Sequence, residues 1–235
     1  MSTRKKTIPK TWVTPYARAF DFDGFMTSLK KAFESYRNVP IITLIASQND
    51  SPFQVLIGTI LSARTKDETT AEACHRLFAK APTVQKLARL SEQEITDLIY
   101  PVGFYKTKAK HIVATADMLQ KDYNGQVPDT MEQLLTLPGV GRKTANLVLG
   151  EAFKKNAICV DTHVHRISNL LGLLRTGTPH ETEQALATVL PETHWILYNT
   201  FLVAHGQTVC RPTSPICSQC QVRDYCQRVG VERSR

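Results

Sequence analysis

Four cysteines, Cys210, Cys217, Cys220 and Cys226, follow the pattern C-x6-C-x2-C-x5-C. Four thiolates within 17 residues can converge on one metal centre, and Pro212 and Pro215 help to curve the connecting loop. Compact zinc sites pair two C-x2-C knuckles or mix Cys with His, and only one such knuckle occurs here. A cubane iron–sulfur cluster takes one thiolate per iron, so four singly arriving cysteines favour [4Fe-4S], with zinc as the alternative. Cys74 and Cys159 sit among apolar neighbours and are expected to be plain buried thiols.

A second group of candidates lies near the middle of the chain. In Leu137-Pro138-Gly139-Val140-Gly141-Arg142-Lys143-Thr144-Ala145 a glycine turn leads into an apolar helix through Leu147, Val148 and Leu149. Glycines permit a tight turn and close approach, and the amides of the helix start that follows can hold a phosphate. Such a turn also serves pure geometry, so phosphate binding and a plain connection both stay open. Lys143 falls in the first helical turn beside Arg142. An amine is nucleophilic only without its proton, and a cationic neighbour and the positive end of a helix both favour losing it. The alternative is a solvated lysine touching a phosphate as a point charge.

Asp161 precedes the apolar-faced run Val164, Ile167 and reads first as a helix N-cap. Its carboxylate also suits a second role in proton transfer or in stabilising positive charge on a sugar. A tight ion pair with Lys143 would keep the amine protonated, so a shuttling role fits better. His163 and His165, two apart on a helix, face away from each other and suit packing or polar contacts better than metal ligation.

Helix signals dominate the elements that must position these residues. Ser51-Pro-Phe-Gln54, Ser91 with Glu94, Thr130 with Gln133 and Thr178-Pro-His-Glu181 read as capping boxes ahead of apolar faces. Pro101-Val-Gly103, Asn124-Gly125 and Pro138-Gly139 break the chain into segments of helical length, and strict period-two alternation is absent. The expected class is all-α, without internal repeats or low-complexity segments. The stretch from Cys210 has too few apolar residues for a core of its own and needs something to organise it.

The 235 residues are 42% hydrophobic and 21% charged, a globular composition that excludes a disordered or collagenous chain. A formal charge of +8 favours an anionic partner. Residues 1–20 hold Arg4, Lys5, Lys6, Lys10 and Arg18 with no acid and are expected to form a basic flexible arm. No signal-peptide core follows it and no apolar run approaches the roughly 18 residues of a membrane span, so a soluble, intracellular protein without a membrane partner is expected, in the cytoplasm or nucleoid. In that reducing setting clustered cysteines bind metals more readily than they form disulfides.

From about Ser51 to Cys226 the chain resembles the helix-hairpin-helix DNA glycosylases of base excision repair that carry a C-terminal iron–sulfur cluster. The resemblance rests on Leu-Pro-Gly-Val-Gly-Arg-Lys-Thr-Ala at 137–145, Val-Asp-Thr-His at 160–163 with 18 residues from Lys143 to Asp161, Ala-His-Gly at 204–206, and the cysteine spacing. It implies a six-helix barrel domain with the helix-hairpin-helix over 45–155. It also implies a second helical domain from 21–44 with 156–235 around a [4Fe-4S] cluster, and duplex DNA bound across the cleft. By the same resemblance Lys143 is the Schiff-base nucleophile, Asp161 the catalytic aspartate, and Cys210, Cys217, Cys220 and Cys226 the cluster ligands. Gly139, Val140, Gly141 and Arg142 form the DNA-binding hairpin. The implied activity is that of a monomeric glycosylase and abasic-site lyase acting on oxidised pyrimidines. A monofunctional glycosylase, or a non-catalytic DNA-binding protein with a zinc-stapled tail, is the alternative. Two residues depart from the family pattern. Arg64 stands where Gln is usual at the gap left by a flipped base, and Arg211 is the one basic residue between Cys210 and Cys217, so DNA contact there is expected to be shared with the N-terminal arm.

Overall fold

The computed structural model of the chain describes residues 8–36, 39–48 and 51–235. Arg4, Lys5 and Lys6 of the expected arm lie outside them. Among the described residues helix is the only extended element, apart from one isolated antiparallel bridge between Val13 and Leu174, so the chain is all-α. In chain order the helices are α1 (Pro15–Arg18), α2 (Phe22–Ser35), α3 (Ile41–Gln48), α4 (Pro52–Ser62), α5 (Asp67–Lys80), α6 (Val84–Leu87), α7 (Glu92–Ile99), α8 (Tyr105–Asp122), α9 (Met131–Leu134), α10 (Arg142–Glu151), α11 (Thr162–Leu170), α12 (Pro179–Leu186) and α13 (Trp195–Thr208). No helix of the described residues is long and apolar enough to cross a membrane. The chain divides into two compact units, one of Pro40–Ala157 and one in which the chain up to Val39 joins Ile158–Arg235.

In the unit of Pro40–Ala157, α4 is the centre. Phe53 and every residue from Val55 to Leu61 are buried, the all-round apolar pattern of a helix enclosed by others. It packs against α3, α5, α8 and α10. Its start is set by Pro52 in the first turn and by Ser51, whose hydroxyl accepts from the Gln54 amide at 3.4 Å. The Gln54 side chain bonds instead to the Pro82 carbonyl, so this capping box is only half formed. Those at Ser91/Glu94 and Thr178/Glu181 are complete, and Thr130 caps α9 through the Gln133 amide. The three expected breaks all fall between helices.

In the other unit α13 packs on α2 and α11. The spacing of Phe22, Phe25, Met26, Leu29 and Ala32 gives α2 one buried face, and burying each large side chain there contributes about 1.5–3 kcal/mol. The arm expected over 1–20 does not hold for its described part. Val13 and Ala17 are core residues, Thr14 N–H donates to Leu173 O (3.1 Å), and Arg175 N–H donates to Trp12 O (2.9 Å). Apolar residues interleaved with the basic ones supply a docking face, leaving Lys10 and Arg18 exposed. The expected grouping of 21–44 with the chain ends also needs correction, because Ile41 and Ile42 are buried in the core that α4 organises.

Candidate functional site

The hairpin turn is built from below by α8. Gly139 has φ +77°, a backbone that only glycine adopts without strain, and a Cβ there would sit 2.8 Å from His111 Nδ1. Thr115 Oγ1 donates to Pro138 O at 2.9 Å and fixes the other side of the turn. Val140, expected as a DNA contact, turns inward instead: its side chain is 8% exposed and its N–H donates to Leu137 O. Val140 is therefore the apolar peg of the turn. Gly141 is the N-cap of α10, with open space where a Cβ would stand. Gly139, Gly141, Arg142 and Lys143 are all exposed. The first bond of α10 runs from Ala145 N–H to Gly141 O, so the amides ahead of it face out of the positive helix end.

A second exposed feature belongs to the same unit. Arg64 follows α4 and Phe104 precedes α8, and both hold left-handed backbones, φ 55° and 58°. The Arg64 guanidinium lies 5.7 Å from the centroid of the Phe104 ring, which is 63% exposed. Phe104 escapes sequence reasoning, although the Pro101-Val-Gly103 break immediately before it was the available signal. Neither hydrophobic burial nor local backbone preference accounts for an exposed aromatic on a left-handed backbone.

Asp161 caps α11, accepting the Val164 amide on Oδ1 at 2.8 Å, as its position in sequence predicts. The two nearby histidines diverge as expected, with His165 Nδ1 lying 2.6 Å from Thr182 Oγ1.

None of the six cysteines is in a disulfide, and Cys74 and Cys159 are buried thiols. Burial pushes Cys74 up to about 12. Cys210, Cys217, Cys220 and Cys226 line one pocket walled by Phe25, Ile167, Leu202 and Val222. Among the described residues no three His, Cys, Asp or Glu side chains gather closely enough to hold a single metal ion. Burial raises the thiols of Cys210, Cys220 (to about 11) and Cys226, and the neighbouring sulfurs raise each of them further. Arg166 works against this at Cys210, donating to its Sγ (3.6 Å) and its carbonyl (2.5 Å). The raised thiols of Cys210, Cys220 and Cys226 would ionise readily only with positive charge beside them, which a multi-iron centre would supply. Four cysteines lining one pocket fit the one-thiolate-per-iron requirement of a cluster.

His205 closes the floor of the pocket. Burial, and then the charge of Arg166, hold its imidazole down to about 4. Its Nδ1 lies 2.7 Å from Tyr36 Oη, and its Nε2 3.7 Å from Cys220 Sγ. Tyr36 is pushed up to about 12, chiefly by burial. Arg211 is exposed, with Nε bonded to Thr208 O. It shares an open groove with Arg166 and Arg233.

The model of the HhH-GPD superfamily of base excision DNA repair proteins matches residues 57–192. The chain is 49% identical over 176 residues to endonuclease III of Thermotoga maritima, covering 75% of this chain and 83% of that protein. To endonuclease III of a Synechocystis species it is 41% identical over 177 residues, covering 75% and 81%. A solved structure described as a trapped endonuclease III–DNA covalent intermediate, an estranged-adenine complex, superposes with a TM-score of 0.76 at 32% identity, covering 88% of this chain and 94% of that one.

Proposed function

This chain belongs to the HhH-GPD superfamily of base excision DNA repair proteins and, within it, to the endonuclease III family; it is a DNA glycosylase, and we propose that it excises oxidised pyrimidines from duplex DNA and then cleaves the abasic site. The observation that carries this reading is Lys143, an exposed amine in the first turn of α10 directly behind the glycine turn. There the helix start binds the DNA backbone through Gly141 and Arg142 and brings the amine to the sugar. The relative described as a trapped covalent intermediate with DNA supports an attacking amine.

The damaged nucleotide leaves the stack, at a cost of about a few kcal/mol that is smaller for a poorly paired lesion. Arg64 and Phe104 fill the space it vacates. Lys143 Nζ bonds to C1′ as the N-glycosidic bond breaks, and the base departs with the bonding electrons and a proton. Asp161 takes up the proton released by the amine, passes it to the departing base and stabilises the positive charge on the sugar. The C1′–O4′ bond then breaks, O4′ leaving as a hydroxyl with a proton from solvent; the resulting iminium acidifies the C2′ proton, whose loss expels the 3′ phosphate, and water then hydrolyses the imine and returns the amine. A glycosylase that activates water directly stops before this second cut.

Cys210, Cys217, Cys220 and Cys226 would hold a [4Fe-4S] cluster that supplies structural charge compensation and leaves no open iron position for substrate. Arg211 supplies a backbone contact beside it.

The test is borohydride reduction with a duplex containing one abasic site. Wild type is expected to form a covalent adduct and a nick, and Lys143→Ala neither. Equal trapping by Lys143→Ala overturns the lyase assignment, and base release by wild type without a nick makes the enzyme monofunctional.

A further inference from the structure

Lys108, in the first turn of α8, is only 6% exposed. Its Nζ donates to Leu61 O (2.8 Å), Ala63 O (2.6 Å) and Thr65 Oγ1 (3.1 Å), which uses all three of its N–H groups. Two of those acceptors are carbonyls at the C-terminal end of α4, where a helix leaves oxygens without intrahelical partners and carries partial negative charge. A charge buried among uncharged acceptors is costly to keep, and desolvation holds this amine down to about 8. The hydrogen bonds must therefore serve something that an apolar side chain of the same length would not.

The same residue holds the other loop. Lys108 N–H donates to Phe104 O at 3.0 Å. Thr65 Oγ1, which accepts from Nζ, also accepts from Gly103 N–H at 3.2 Å. A Cβ at Gly103 would fall 2.6 Å from Arg64 O, so the two loops meet backbone to backbone. Arg64 and Phe104 stand on this junction, both in left-handed conformations that relaxed loops would abandon.

We propose that Lys108 is a positioning residue that fastens the Arg64 turn to the start of α8, so that Arg64 and Phe104 meet duplex DNA as one preorganised wedge. The inference rests on the reading of this pair as the group that fills the stack. Its physical basis is that ordering two loops before DNA arrives removes that entropy from the cost of extruding a nucleotide. Nζ cannot itself serve as a nucleophile, because it is buried with every N–H engaged.

The test is a double-mutant cycle of Lys108→Met with Phe104→Ala. It would be read by single-turnover base release from a duplex with one oxidised pyrimidine, and by the fluorescence rise of 2-aminopurine opposite the lesion at saturating enzyme. Each single variant is expected to lower both readouts about tenfold, and the double variant to fall no further than the worse single. A merely structural loss would multiply with Phe104→Ala, and that result overturns the proposal, as does an unaltered Lys108→Met. If Phe104→Ala alone changes neither readout, the wedge reading fails first and is seen to fail separately. Thr65→Val, which removes one shared hydroxyl at nearly constant volume, guards against misfolding of Lys108→Met. It is expected to show the same non-additivity at smaller amplitude, and additive behaviour in that variant overturns the proposal equally.

Discussion

Asp161 has two jobs that substitution can separate. Its carboxylate accepts the Val164 amide and caps α11, and asparagine caps a helix as well as aspartate does. Asp161→Asn should therefore leave the thermal midpoint close to wild type while removing the proton acceptor, lowering the single-turnover rate by about 10²–10⁴-fold. Asp161→Ala should lose the rate and also about 1 kcal/mol of stability. A rate for Asp161→Asn within a fewfold of wild type would reduce the residue to a cap. The comparison matters because an N-cap aspartate is an ordinary structural residue, and only its charge argues for more.

The hairpin between α9 and α10 is an element in which two glycines are present for different reasons. Gly139 is required by its positive φ and by the His111 ring beneath it. Gly139→Ala should cost about 1–2 kcal/mol from the backbone alone, read as a lowered denaturation midpoint. Gly141 has φ −96° and open space around a would-be Cβ. Gly141→Ala should fold like wild type and bind duplex DNA more weakly, because the added methyl stands where a phosphate would approach the helix start. If both variants keep wild-type affinity, the turn is a plain connection. The capping boxes show how far such elements are local. Ser91/Glu94 and Thr178/Glu181 form completely because both partners lie within one turn, whereas Gln54 finds the Pro82 carbonyl, far along the chain, and leaves its box half made.

For the whole molecule, the cysteine pocket lies in the unit that joins the two ends of the chain, where Phe25 of α2 and Leu202 of α13 wall it. A centre bound there ties α2 to the tail, so its loss should loosen this unit more than that of Pro40–Ala157. Cys226→Ser should purify with less iron and sulfide and lose its yellow-brown colour. Cys74→Ser, in the other unit, should keep both in full. Stoichiometric zinc in the wild type, with no iron, would transfer the site to the zinc reading.

The residues proposed to carry the chemistry stand out in the sequence because their signals are local. A glycine turn before a helix, a capping aspartate and four cysteines within 17 residues are patterns of spacing that need no distant partner. Fold class followed in the same way from caps and apolar periodicity. What only the tertiary structure decided depends on residues far apart in the chain. Residues 8–20 dock because Val13 meets Leu174, Val140 serves the core rather than the surface, and Phe104 stands exposed beside a junction where Lys108 bonds to Leu61 O and Gly103 to Thr65. Local spacing sets which groups can react, but burial and long-range hydrogen bonds set which of them face the solvent, and those are properties of the packed chain.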